Sequence, residues 1–251
     1  MSIIEAPVIE VPISHIAEDD PITLQELQAE SELLRSNPDP EPGLFITFEG
    51  CEAVGKTTQI RLAAEWLASE GIPFLSTREP GGTPLGITLR ELILDSKAVC
   101  CPGAELFLLL ADRAQHVSEV IRPSLAEGLV VLCDRFNDST LAYQVGGGGL
   151  DRESVEESCS LAVMGLEPHL TLLLDLDPAT AFGRINRPLD RMEEKGPEYH
   201  QRVREMFLEL ARLEPDRFVT VDAAQPPEIV ADQVRTAIRK RLEEHGIGGN
   251  L

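Results

Sequence analysis

Basic residues are scarce in this chain. Lys and Arg together number 22 against 43 Asp and Glu, a formal net charge of −21 over 251 residues. Such a surplus of acid excludes a nucleic-acid backbone or an anionic membrane as the main partner. Cysteine is sparse too. The five (Cys51, Cys100, Cys101, Cys133, Cys159) are odd in number and show no metal-ligand spacing, so a reduced, cytoplasmic compartment fits better than a disulfide scaffold. No uninterrupted apolar stretch approaches transmembrane length. The N-terminus lacks a basic region followed by an apolar run, so no signal peptide is expected. No internal repeat is visible. The expectation is a soluble cytoplasmic protein. Its hydrophobic fraction of 43% is enough for a real core, in one domain of ordinary size plus extras, or two small ones.

Basic residues are scarcest at the start. Residues 1–42 hold ten acids and a single base, Arg35, and prolines at 7, 12, 21, 38, 40 and 42 interrupt any regular element. This segment reads as an acidic, mostly disordered extension. One weak helix is expected over 23–35, where Thr23 and Glu26 form a capping box. The remainder, 43–251, reads as the working domain.

From Leu44 the pattern alternates between strand and helix. Strands are expected over 44–48, 73–76, 129–133, 170–176 and 218–221. Helices are expected over 60–67, 85–94, 104–127, 152–164, 178–185, 197–213 and 227–244. Composition makes 77–84 a loop and the glycine run 146–149 a flexible turn. The run Leu129–Cys133 is apolar throughout, as a central parallel strand should be. The fold class is therefore α/β, a five-stranded parallel sheet with helices on both faces, whose ligands sit beyond the carboxyl ends of the strands.

The most informative stretch is LFITFEGCEAVGKTT, Leu44 to Thr58. It fits G-x-x-x-x-G-K-[ST] with a strand before and a helix after, the arrangement of a P-loop NTPase fold. Successive N–H groups of Gly50, Cys51, Glu52, Ala53, Val54, Gly55, Lys56, Thr57 and Thr58 would cradle phosphate oxygens at a positive helix end. Lys56 would reach the outer phosphates, and the Thr57 hydroxyl would ligate Mg²⁺. Asp134, at the end of an apolar strand, suits a carboxylate acting on the same Mg²⁺.

Arginines recur at loops and strand ends: Arg78, Arg113, Arg135, Arg184, Arg187 and Arg191. A donor triphosphate and an acceptor phosphate together demand such a set, because phosphoryl transfer rests on positioning and charge neutralisation. Arg184, Arg187 and Arg191 fall in a polar, Pro-interrupted segment, about 183–196, that reads as a lid closing over the donor. A GTPase should carry N-K-x-D, and the chain has none. Small-molecule phosphoryl transfer is therefore favoured.

Taken together, the motifs resemble bacterial thymidylate kinase, a P-loop nucleoside monophosphate kinase. The resemblance rests on the phosphate loop, T-R-E-P-G-G-T-P at 77–84, A-D-R at 111–113, D-R-F at 134–136, S-T-L-A-Y-Q at 139–144 and L-D-R-M-E at 189–193. It implies transfer of the ATP γ-phosphate to dTMP with Mg²⁺, giving dTDP and ADP in dTTP biosynthesis, in a homodimer. It further implies that Glu52 accepts from the sugar 3′-hydroxyl and that Arg78 and Arg135 act near the acceptor phosphate. Arg113 would help hold thymine, and Thr140, Tyr143 and Gln144 would line the base and sugar pocket. The phosphate loop carries Ala53 and Val54 where one family layout has a catalytic arginine, so the lid arginines are the candidates beside Lys56 and Arg135. Three positions depart from the family pattern: Ala53 replaces a common Gly, Leu109 replaces the Phe that stacks on thymine, and Gly148 replaces an Arg. These leave open a same-fold kinase of another nucleoside monophosphate, or a nucleotide-binding regulator with weak catalysis.

Overall fold

A computed structural model of the chain describes residues 42–95 and 100–247. The acidic extension and its expected helix over 23–35 lie outside the described residues. Five parallel strands form one sheet in the order β2-β3-β1-β4-β5. They are β1 (Leu44–Glu49), β2 (Phe74–Arg78), β3 (Val130–Asp134), β4 (Leu170–Asp175) and β5 (Phe218–Asp222). β1 is central and fully buried, as its apolar run requires. Alternate side chains of one strand face opposite layers. Leu44, Ile46 and Phe48 of β1 join one core cluster, whereas Phe45 joins another with Val117, Ile121, Leu125, Val131 and Cys133. Helices therefore cover both faces, as the sequence pattern implies.

The principal helices are α1 (Lys56–Ser69), α2 (Pro84–Leu94), α3 (Pro102–His116), α4 (Arg122–Ala126), α5 (Asn137–Thr140), α6 (Arg152–Val163), α7 (Pro178–Phe182), α8 (Pro197–Leu213) and α9 (Pro227–Glu244). Prolines stand in the first turn of α2, α3, α7, α8 and α9, where the missing N–H costs nothing. No described helix is long and apolar enough to cross a membrane.

Three expectations need correction. The helix expected over 104–127 is present as helical backbone from Pro102 to Ala126 but is not α-helical throughout. A π-helical turn, Val117–Ile121, separates α3 from α4, because Pro123 removes one N–H and clashes with the carbonyl of the preceding turn. β2 runs on to Arg78, so Thr77 and Arg78 are strand residues paired with Cys133 and Asp134 of β3; the glycines and prolines that follow disguised this. The glycine run is not a flexible turn. Leu141–Gly147 forms a π-helical turn packed on α8. A Cβ at Gly147 would lie 2.5 Å from the Tyr199 ring and one at Gly146 2.6 Å from Met206 Cβ, so these glycines allow close packing. Arg202 of α8 donates to the carbonyls of both.

Candidate active site

The loop between β1 and α1 is shaped by backbone that side chains resist. Gly50 has φ 132°, and a Cβ there would lie 2.4 Å from the Leu174 carbonyl of β4. Ala53 adopts φ 55°, the left-handed region where a Cβ costs about 1 kcal/mol. Lys56 folds back across the loop and donates to the carbonyls of Gly50 (3.0 Å) and Cys51 (2.7 Å). Burial and the Arg135 charge lower its pKa. Burial raises the Cys51 thiol to about 12, so it stays protonated. Thr57 and Thr58 remain exposed at the start of α1.

β3 delivers the second group. Arg135 also sits at positive φ, 75°. Its guanidinium donates to the Gly50 carbonyl (3.0 Å), Ser139 Oγ (2.9 Å), Glu52 Oε1 (3.2 Å) and Tyr143 Oη (3.2 Å), and lies over the Tyr143 ring. The Tyr143 hydroxyl donates to Glu52 Oε1, and His200 Nδ1 lies 3.4 Å from Oε2. Burial alone would raise Glu52, but His200, Arg135 and Lys56 outweigh it and hold the carboxyl at about 2. Behind it, burial and Asp138 raise Glu49 to about 8. Glu49 accepts from Phe136 N (2.7 Å) and bonds Ser139 Oγ (2.6 Å). Asp134 Oδ1 is buried with no hydrogen-bond partner among the described residues.

The segment after β2 forms the opposite wall. Arg78 is exposed at the strand end and makes no side-chain hydrogen bond among the described residues. Buried Glu79 accepts from Arg113 Nε (2.6 Å) and bonds His116 Nδ1 (2.9 Å), whose Nε2 lies 2.7 Å from Thr77 Oγ1. The rest of the Arg113 guanidinium donates to Asn137 Oδ1, Thr140 Oγ1 and the Phe136 carbonyl. Asp112 accepts from Gly81 N, and burial with the Glu79 charge raises it to about 6.

The segment between α7 and α8 closes the third side. Arg184 donates to the Ala223 carbonyl (3.2 Å). Arg187 forms a two-armed pair with Glu193, at 2.8 and 2.7 Å, with more than half of its side chain exposed. Arg191 bonds the Ile93 carbonyl and Glu105 Oε2.

These walls enclose one cleft of about 530 Å³ beyond the carboxyl ends of the strands, within the range for small-molecule sites. It is lined by Glu52, Ala53, Gly55, Lys56, Thr57, Thr58, Arg78, Leu109, Arg113, Asp134, Arg135, Thr140, Tyr143, Gln144, Arg184 and Arg187. Gly50, Cys51, Val54 and Arg191 do not line it. Cys51 and Val54 are packed into the core. The cleft also contains Arg90 and Glu105, which the sequence did not single out, and Asp112 and Ser139, which stood inside the A-D-R and S-T-L-A-Y-Q strings without a role. Arg90 and Glu105 lie on helices without a local motif, so only packing brings them in. Glu79 stood inside the T-R-E-P-G-G string, and its immediate Arg neighbour was the available signal.

Comparison with known proteins decides the family. A sequence model described as thymidylate kinase matches residues 48–234. The thymidylate kinase of Synechococcus sp. (strain JA-2-3B'a(2-13)) is 52% identical over 199 residues, 79% of this chain and 96% of the relative. That of Desulfovibrio desulfuricans is 48% identical over 215 residues, 82% and 99% of the two chains. That of Trichlorobacter lovleyi is 47% identical over 208 residues, 79% and 98%. The chain belongs to the thymidylate kinase family. Against that family's pattern, Leu109 lines the cleft where the stacking Phe is expected. Phe107, two residues earlier on α3, is 67% exposed, so it does not stand in. Gly148 carries no arginine, and Arg202 reaches the neighbouring carbonyls from α8 instead.

Proposed function

We propose that this member of the family transfers the ATP γ-phosphate to dTMP inside this cleft, giving dTDP and ADP for dTTP synthesis. The observation that carries the reading is that the phosphate loop and the Arg78 strand end open onto the same cleft. One wall suits a donor triphosphate and the facing wall an acceptor phosphate. The backbone of Gly50–Thr58 holds the donor phosphates, and Lys56 leaves its loop carbonyls for the outer phosphate oxygens. Arg78 and Arg135 bind the acceptor phosphate, whose oxygen attacks the γ-phosphorus as the bond to the β-phosphate oxygen breaks. Glu52, a carboxylate at neutral pH, accepts from the sugar 3′-hydroxyl. Tyr143 packs beneath the sugar, while Arg113, Thr140, Gln144 and Leu109 surround the base. Arg184 and Arg187 bring charge to the transferring group as the 183–196 lid closes and excludes water.

Mg²⁺ fits the residues present. Asp134 offers an orphaned buried carboxylate oxygen and Thr57 an exposed hydroxyl, both hard oxygen donors. When bound there, Mg²⁺ neutralises phosphate charge.

The organisation proposed is an extension over 1–42 followed by the kinase domain over 43–251, in the cytoplasm. Phe107 on α3 and Leu161 on α6 are 67% and 72% exposed, and Leu85, Ile87 and Leu92 of α2 are about half exposed. A second copy of the chain covering such residues gives a homodimer; light scattering at twice the chain mass supports it, and a monomer mass sinks it. The activity is tested by ADP release with Mg-ATP and a panel of nucleoside monophosphates. Preference for dTMP is expected, and preference for another monophosphate overturns the assignment.

A further inference from the structure

Glu105 is buried in the first turn of α3, and three donors from two other segments converge on it. Gln144 Nε2 lies 2.6 Å from Oε1, Lys195 Nζ 3.1 Å from Oε1, and Arg191 Nη1 2.7 Å from Oε2. A carboxylate offers only acceptors, so the Gln144 amide must turn its NH₂ toward Glu105. That leaves Gln144 Oε1 pointing away from Glu105, buried and without a hydrogen-bond partner among the described residues. Gln144 and Glu105 both line the cleft. An unpaired buried acceptor is costly unless the occupant supplies a donor.

We propose that Glu105 is a specificity-determining positioning residue: by fixing the Gln144 amide, it makes the base pocket select a pyrimidine carrying N3–H. The inference rests on the dTMP kinase reading and deepens it. Thymine and uracil carry a proton on N3 and satisfy Oε1. Cytosine carries a lone pair on N3, which would face Oε1 acceptor to acceptor. The same carboxylate also receives Arg191 and Lys195 from the lid segment. Base selection and the seating of that segment thus share one anchor.

The experiment measures kcat and KM for dTMP, dUMP and dCMP with the full chain and with Glu105→Gln. A glutamine at 105 donates or accepts, so Gln144 becomes free to flip and present its NH₂ to the base. The dTMP-to-dCMP ratio of kcat/KM is expected to fall at least about tenfold, the cost of one buried mismatch. The dTMP-to-dUMP ratio should stay the same, because both bases carry N3–H. A loss of activity that is equal for all three acceptors would mark Glu105 as merely structural and overturn the inference. So would an unchanged dTMP-to-dCMP ratio. If circular dichroism shows that Glu105→Gln does not fold, Glu105→Asp is read the same way. It keeps the charge and shortens the reach, and an unchanged ratio again overturns the inference. Failure of the underlying reading is distinguishable: the unaltered chain would then show no preference for dTMP over dCMP at all.

Discussion

Arg113 and Arg135 in the first two walls of the cleft and Arg184 and Arg187 in the third share a side chain but are held in opposite ways. Arg113 is locked by Glu79, Asn137, Thr140 and the Phe136 carbonyl with 3% of its side chain exposed. Arg135 is gripped by Glu52, Tyr143, Ser139 and the Gly50 carbonyl. Burial works against its charge, yet Tyr143, Glu52, Asp134 and Glu49 push its pKa further up. Arg187 instead leaves 58% of its side chain exposed beside Glu193, and Arg184 makes one backbone bond. The first pair is built into the fold before any ligand arrives, as electrostatic preorganisation requires. The second can be redirected at little cost, as a lid requires. Removing a preorganised group should therefore harm both folding and catalysis, whereas removing a lid group should harm catalysis alone.

That contrast can be broken experimentally. The largest effect is expected at Lys56→Ala, which should lower kcat by at least about 10³-fold, the scale of losing a preorganised charge on a transferring phosphate; single-turnover kinetics at near-normal rate would remove the loop from the chemistry. Next comes Arg113→Ala. It leaves Glu79 buried without its guanidinium, so unfolding should become easier by about 3 kcal/mol, read as a shift in the urea midpoint. Arg184→Ala should lower kcat by about 10–100-fold while leaving the urea midpoint in place, since its guanidinium makes one bond to a backbone carbonyl and no buried carboxylate depends on it. A shifted midpoint would show that the lid is as anchored as the rest of the cleft.

The smallest effect concerns Glu49 behind the phosphate loop. Its folded pKa, about 8, lies above the ordinary carboxylate value of 4.5. Between those values the folded chain binds the extra proton, so this group's contribution to stability is fully present below about 4.5 and is lost as pH rises toward 8. Glu49→Gln mimics the protonated side chain, accepting from Phe136 N and donating to Ser139. Thermal melts from pH 5 to 8 should show a flatter profile for Glu49→Gln than for the unaltered chain. An identical slope would mean that Glu49 is ionised throughout.

Much of the scaffold was legible because its signals are local. The apolar runs at Leu44 and Val130 mark central strands, and prolines at the starts of α8 and α9 place those helices to the residue. The misread places have a common cause. Gly146 and Gly147 look like punctuation until Tyr199 and Met206, more than fifty residues away, are packed against them. Glycine has two uses, turning the chain and admitting close neighbours, and only the neighbours say which applies. Arg90, Glu105 and His200 show the same limit. Each takes its place at the site from a helix packed there by its apolar face, with no short motif around it.

By itself, then, the sequence determined the phosphate loop, the parallel α/β sheet and the family, because spacing along a few residues dictates backbone shape and strand burial. It also supplied the arginines. Only the tertiary structure decided which of them are clamped and which are free. It tied Arg113 to Glu79, Arg135 to Glu52 and Arg191 to Glu105. Those pairings join segments from 34 to 86 residues apart along the chain, and a buried charge is fixed by whatever partner folding brings within reach.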